Sequence, residues 1–139
     1  MKKTIATIAM AFMMMLSFNS FAIANPLKDM NTAKIIVTYL EAATSGSADL
    51  NKYLFADDFQ YMNAVDRKSY GKREYTTFLK ANKGLKYDCE TSYEILDECG
   101  KACVAKVIMK FKTFTRVDYV TLSQEVDSWK VSKVVTTYP

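Results

Sequence analysis

From Lys86 onward the hydrophobic period of this chain is two, and that period restricts the fold more than any other feature. Tyr87, Cys89, Thr91, Tyr93 and Ile95 alternate with Asp88, Glu90, Ser92 and Glu94, and Ala105, Val107, Met109 and Phe111 alternate with Lys106, Ile108, Lys110 and Lys112. Two further strands are expected over about 117–125 and 129–138. Successive side chains of a strand point to opposite faces, so strict alternation describes a sheet with one face on a core and the other in water.

The residues before Lys86 read differently. Asn25-Pro26 suits a helix start, Asn as cap and Pro at the first helical position. Leu27, Met30, Ala33, Val37 and Leu40 then recur at three- and four-residue steps up to Gly46. Ser47 can cap a second, shorter helix from Ala48 to about Leu54. A short strand is expected from Phe59 to Asn63, and a third helix from about Lys72 to Ala81 with Tyr75, Phe78 and Leu79 on one face. Three N-terminal helices packed on a curved, mainly antiparallel sheet make an α+β domain.

Residues 1–24 read as an export leader. Lys2 and Lys3 precede an uncharged run from Ile5 to Leu16, and Ala22-Ile23-Ala24 offers the small residues of a cleavage site. The working domain is then 25–139, in the periplasm or secreted. Without Lys2 and Lys3, 17 of the 19 basic residues remain against 15 acidic ones, a net +2, and five of the eight Met residues leave with the leader. So small a charge argues against a nucleic-acid or membrane-surface partner.

Three cysteines in an exported chain suggest one disulfide and one thiol. A three-residue loop at Gly100-Lys101-Ala102 sets Cys99 opposite Cys103, Ile95 opposite Val107 and Tyr93 opposite Met109, so apolar residues meet. A two-residue turn at Gly100-Lys101 would set Ile95 against Lys106 and mix the faces. A Cys99–Cys103 bond is therefore expected. Cys89 lies ten residues before Cys99 on the same strand, roughly 33 Å away, and stays reduced. With no His in the chain, a catalytic Cys lacks its usual base. No metal or cofactor motif is present.

Phe114 to Val135, FTRVDYVTLSQEVDSWKVSKVV, resembles the closing strands of the nuclear transport factor 2-like superfamily, most closely its bacterial lumazine-binding family. That pattern joins Asp-Tyr-aliphatic-Thr-Leu, here Asp118 to Leu122, through a turn to Trp-Lys-aliphatic, here Trp129 to Val131, and to Lys133. The resemblance implies a cone, with a curved sheet wrapping helices around a cavity. The superfamily includes isomerases, polyketide cyclases and scaffolds without chemistry, and its lumazine label does not by itself establish a ligand.

A turn at Asp127-Ser128 pairs Leu122 with Lys133 and Val120 with Val135, and places Asp118 and Lys133 on the face of Val120, Leu122, Val126, Trp129, Val131 and Val135. A charge aimed at a core must be paired or line a wet cavity. Asp118 and Lys133 are therefore candidate pocket residues, with Tyr61, Tyr75 and Tyr93 adding hydroxyls; alternatively both charges reach solvent at the sheet ends. Three readings follow. The first is non-catalytic binding of a small apolar or aromatic molecule, which needs only a cavity and a few polar groups. The second is a homodimer or protein-interaction module on the outer sheet face, using Tyr119, Thr121, Ser123, Ser132, Thr136 and Tyr138. The third is an isomerase- or cyclase-like enzyme with Asp118 as base.

Overall fold

The computed structural model describes residues 24–139. Residues 1–23, on which the expected export leader falls, lie outside the described residues. The described elements run in the order α1 (Thr32–Thr44), α2 (Asn51–Leu54), β1 (Phe55–Asn63), β2 (Ser69–Gly71), α3 (Lys72–Ala81), β3 (Glu90–Cys99), β4 (Ala102–Lys110), β5 (Thr115–Gln124) and β6 (Trp129–Thr137). The six strands form one sheet in the order β2-β1-β6-β5-β4-β3. All neighbours are antiparallel except β1 and β6, which run parallel. The architecture is α+β, with α3 inserted between β2 and β3.

The first helix begins later than Asn25-Pro26. Asp29 has φ +62°, a left-handed conformation that interrupts helical propagation. Asn31 then caps α1, its side chain accepting from the Lys34 N–H. Its buried face is Ile35, Ile36, Tyr39, Leu40, Ala42 and Ala43, so of the expected helical stripe Leu40 is buried while Ala33 and Val37 are only half-buried. Ile35, Ile36 and Tyr39 pack among Val107, Met109, Val120, Leu122 and Val131, all with no accessible surface. Fully burying one such side chain stabilises a fold by about 1.5–3 kcal/mol.

In both the β3–β4 and the β5–β6 hairpin, an added residue decides the register. Cys99 pairs with Ala102, so the β3–β4 turn has two residues, Gly100 and Lys101, with Gly100 at φ +58°. The expected conflict between Ile95 and Lys106 does not arise, because a bulge at Leu96 slips the pairing and Ile95 meets Ala105. The Cys99–Cys103 disulfide is corrected accordingly. Cys103 is buried and pairs with Glu98, while Cys99 is exposed and points to the opposite face with Ala102. Cys89, Cys99 and Cys103 are all free thiols.

The β5–β6 turn is longer than expected, spanning Glu125 to Ser128 and closed by the Glu125 N–H donating to the Ser128 carbonyl. Leu122 pairs with Val131 and Thr121 with Lys133, leaving Ser132 as the extra residue. Its hydroxyl donates to the Thr121 carbonyl and pins the bulge. Beyond that point Val134 and Thr136 face inward and Lys133 faces solvent. Val126 is fully exposed, and Thr136 is buried rather than part of the outer face.

Gly46 joins the end of α1 to the chain after α3. It has φ +64°, and a Cβ there would lie 2.5 Å from the Asn82 carbonyl oxygen and the Gly84 nitrogen. Gly100 shares the positive φ but faces open space. Gly46→Ala should therefore lower stability by about 2 kcal/mol or more, and Gly100→Ala by about 1 kcal/mol, in urea unfolding. Equal losses would show that the close approach at Gly46 adds nothing to the backbone strain.

Candidate functional site

Alternation along β5 sends Arg116, Asp118, Val120 and Leu122 to the same face. Asp118 therefore lies beneath α1, opposite Thr136 of β6, with no accessible surface. Its two oxygens accept four hydrogen bonds. Oδ1 accepts from Arg116 Nε at 2.9 Å and from the Thr136 hydroxyl at 2.6 Å. Oδ2 accepts from Arg116 Nη2 at 2.9 Å and from the Tyr39 hydroxyl at 2.6 Å. A buried carboxylate is tolerated when paired and fully hydrogen-bonded, and the planar guanidinium fork supplies both conditions.

The same environment keeps its partners in the protonated form. Burial, reinforced by the Asp118 charge, holds the Tyr39 pKa well above its ordinary value. Burial alone would lower the pKa of Arg116, but the Asp118 charge and hydrogen bonds raise it. Burial pushes Tyr75 up to about 12 and also raises Tyr61. Tyr39, Tyr61 and Tyr75 are thus neutral hydroxyls at physiological pH.

Beside this cluster a cavity of about 520 Å³ opens to solvent. β1 contributes Tyr61 and Asn63 to its wall, β2 contributes Tyr70, and α3 contributes Glu74, Tyr75, Phe78 and Leu79. Ala43 of α1 and Arg116 of β5 close it from within, and Asp66, Tyr87 and Tyr138 complete the rim. Tyr87 is held there by its N–H, which donates to the Thr44 carbonyl at the end of α1. The aromatic wall is continuous. Tyr70 and Tyr61 stack at 6.1 Å, Tyr61 and Tyr75 at 4.9 Å with 14° between planes, and Phe78 follows Tyr75 at 6.5 Å. Among the described residues no cluster of three or more His, Cys, Asp or Glu could hold a metal.

Of the five expected pocket residues, Tyr61 and Tyr75 line the cavity, and Asp118 lies behind it, reaching it through Arg116. Lys133 and Tyr93 are not brought to it. The Ser132 bulge turns Lys133 outward, and Tyr93 stands 40% exposed on β3, outside the cavity lining. Arg116 was missed although its signal was local, since a strand places residues i and i+2 on one face and Arg-x-Asp forms its own pair. Tyr39, Thr136, Tyr70 and Tyr87 depend on helix rotation, a bulge and long-range contacts, for which the sequence carries no comparable local mark.

Asp118→Asn would aim amide hydrogens at the Arg116 donors and remove the compensating charge. The expected loss is about 3–5 kcal/mol in denaturant unfolding, a large share of a domain's stability. The double variant Arg116→Gln with Asp118→Asn should lose clearly less than the sum of the two single changes. Additive losses would show that the pair is not energetically coupled.

No family model matches the chain, and no curated relative does. Solved structures do resemble it. An NTF2-like protein from Cytophaga hutchinsonii is 16% identical, with 79% of this chain and 100% of that one covered at a TM-score of 0.64. One of unknown function from Silicibacter pomeroyi is 13% identical over 77% of this chain and 92% of that one, TM-score 0.63. Another of unknown function, from Methylobacillus flagellatus, is 20% identical over 77% and 88%, TM-score 0.62. Helices against a six-stranded mixed sheet, with this likeness, give the chain the NTF2-like fold.

Proposed function

We propose that the domain binds a small aromatic molecule in the cavity without carrying out chemistry on it. The observation that carries this reading is the continuous wall Tyr70, Tyr61, Tyr75 and Phe78 around an open space of about 520 Å³. That volume lies within the range of small-molecule sites, and a wall of tyrosines offers apolar aromatic surface together with hydroxyls. Such a wall keeps aromatic surface exposed; Phe78 is 54% accessible. A ligand ring would cover it. An isomerase- or cyclase-like role is less well supported, because Asp118 spends both oxygens on four protein donors and is sealed from the cavity. A general base must reach the proton that it removes.

Calorimetric titration with indole, phenol and lumazine tests the reading. At least one should bind saturably, and Tyr61→Ala should weaken that binding about three- to tenfold through lost aromatic wall surface. Tyr93→Ala, outside the cavity, should leave it unchanged. No saturable binding by any of the three, or equal loss from both variants, would overturn the proposal.

The leader reading belongs with this one, because export would put the cavity in contact with molecules outside the cytoplasm. It rests on Lys2-Lys3, the uncharged run and Ala22-Ile23-Ala24. N-terminal sequencing of the expressed protein should find Asn25 first; a chain still beginning at Met1 would refute cleavage.

A further inference from the structure

Resting on the cavity as a small-molecule site, we infer that its ligand is a planar aromatic monocarboxylate that enters carboxylate first and ends on Arg116. Asp118 uses Nε and Nη2 of the guanidinium. Nη1 donates to no group among the described residues, and it is not a sealed atom, for the only sealed side-chain atom there without a partner is Asn51 Oδ1. Arg116 lines the cavity, with 15% of its side chain accessible. A nearly buried cation with unused N–H groups is a strong demand for an acceptor, and the strongest acceptor of matching geometry is a carboxylate.

The other charges set the ligand's polarity. Asp118 is fully buried behind the guanidinium, so the cavity meets the cation and not its counter-ion. At the mouth stand Asp66 and Glu74, both exposed and neither in an ion pair among the described residues. They oppose a second negative charge at the outer end of the ligand and favour a neutral or protonated-amine group. Between the two ends, the aromatic wall of Tyr70, Tyr61, Tyr75 and Phe78 gives a planar ring an apolar surface to lie against. Asp118, Tyr39 and Thr136 act as positioning residues that hold the plane of the guanidinium.

Titration with benzoate, benzamide, benzyl alcohol, terephthalate and para-(aminomethyl)benzoate at low salt separates the parts of the inference. Benzoate should bind about tenfold more tightly than benzyl alcohol or benzamide. Terephthalate should be weaker than benzoate, and para-(aminomethyl)benzoate at least as tight. In the double variant Arg116→Gln with Asp118→Asn, which leaves no buried charge unpaired, the preference for benzoate over benzyl alcohol should fall close to one. Glu74→Gln, at an exposed site, should narrow the gap between terephthalate and benzoate. Equal binding of benzoate and benzyl alcohol by the unmodified protein would overturn the carboxylate assignment while leaving the aromatic cavity standing. A preference that survives in the double variant would overturn the role of Arg116. Failure of all five ligands to bind would remove the cavity reading and this inference together.

Discussion

The carboxylate of Asp118 is where three distant parts of the chain meet. Tyr39 reaches it from α1, Arg116 from the same strand and Thr136 from β6, and each closes an acceptor position that water cannot serve. An ionised group in an apolar interior is tolerated only if every one of these partners is in place. The docking of α1 on the sheet is thereby tied to one height and one rotation, those that bring the Tyr39 hydroxyl to 2.6 Å. Apolar packing alone would permit neighbouring rotations of the helix at modest cost; the short polar contact does not.

Fixing α1 also fixes the cavity. Gly46 brings the end of α1 against the segment that follows α3, and the Thr44 carbonyl receives the Tyr87 N–H. The position of Ala43 on the inner wall and that of Tyr87 on the rim thus follow from the helix that Asp118 holds. On the other side the core aromatics continue into the site without a break. Phe55 packs on Phe59 at 4.8 Å, and both contact Tyr75, which stacks on Tyr61. One ring system serves as core at Phe55 and as cavity wall at Tyr61, so the wall is packed where it meets the fold and exposed where it meets solvent.

Much of this was legible from period alone. The two-residue alternation of β4, β5 and β6 and the span of α3 both appear in the structure, because propensity, patterning and tertiary packing agree there. β3 forms as a strand, but only Ile95 is even half-buried, so its alternation does not mark a core face. The short strand β2 was missed, since Ser69–Gly71 is exposed throughout and carries no alternation to read. The parallel pairing of β1 with β6 was also hidden, because it joins segments some seventy residues apart. Hairpin registers were wrong by one or two residues for the same two reasons in each case. A register argument assumes a given turn length and unbroken pairing; both turns differ in length from those expected, and bulges at Leu96 and Ser132 then shift the pairing again. For the site, Tyr61 and Tyr75 were legible as inward aromatics, whereas Arg116 was overlooked in favour of Lys133, a partner that only unbroken pairing would supply.

The Ser132 bulge shows how one residue determines the chemistry of the cavity. Continuing the pairing of Leu122 with Val131 without it would set Lys133 opposite Val120 and Val135 opposite Asp118, bringing an ammonium into the core face and removing the Thr136 hydroxyl. Asp118 could then be neutralised by a flexible point charge from the neighbouring strand. With the bulge, neutralisation falls to Arg116, two residues away on a rigid strand, and Lys133 is released to solvent. The exchange matters because the two cations differ in what they leave over. An ammonium engaged by a buried carboxylate keeps no fixed direction for its remaining hydrogens, but a guanidinium clamped along one edge presents its other donors in a defined plane. The bulge therefore turns a requirement of stability, the pairing of a buried acid, into a directed donor at the inner end of an aromatic cavity.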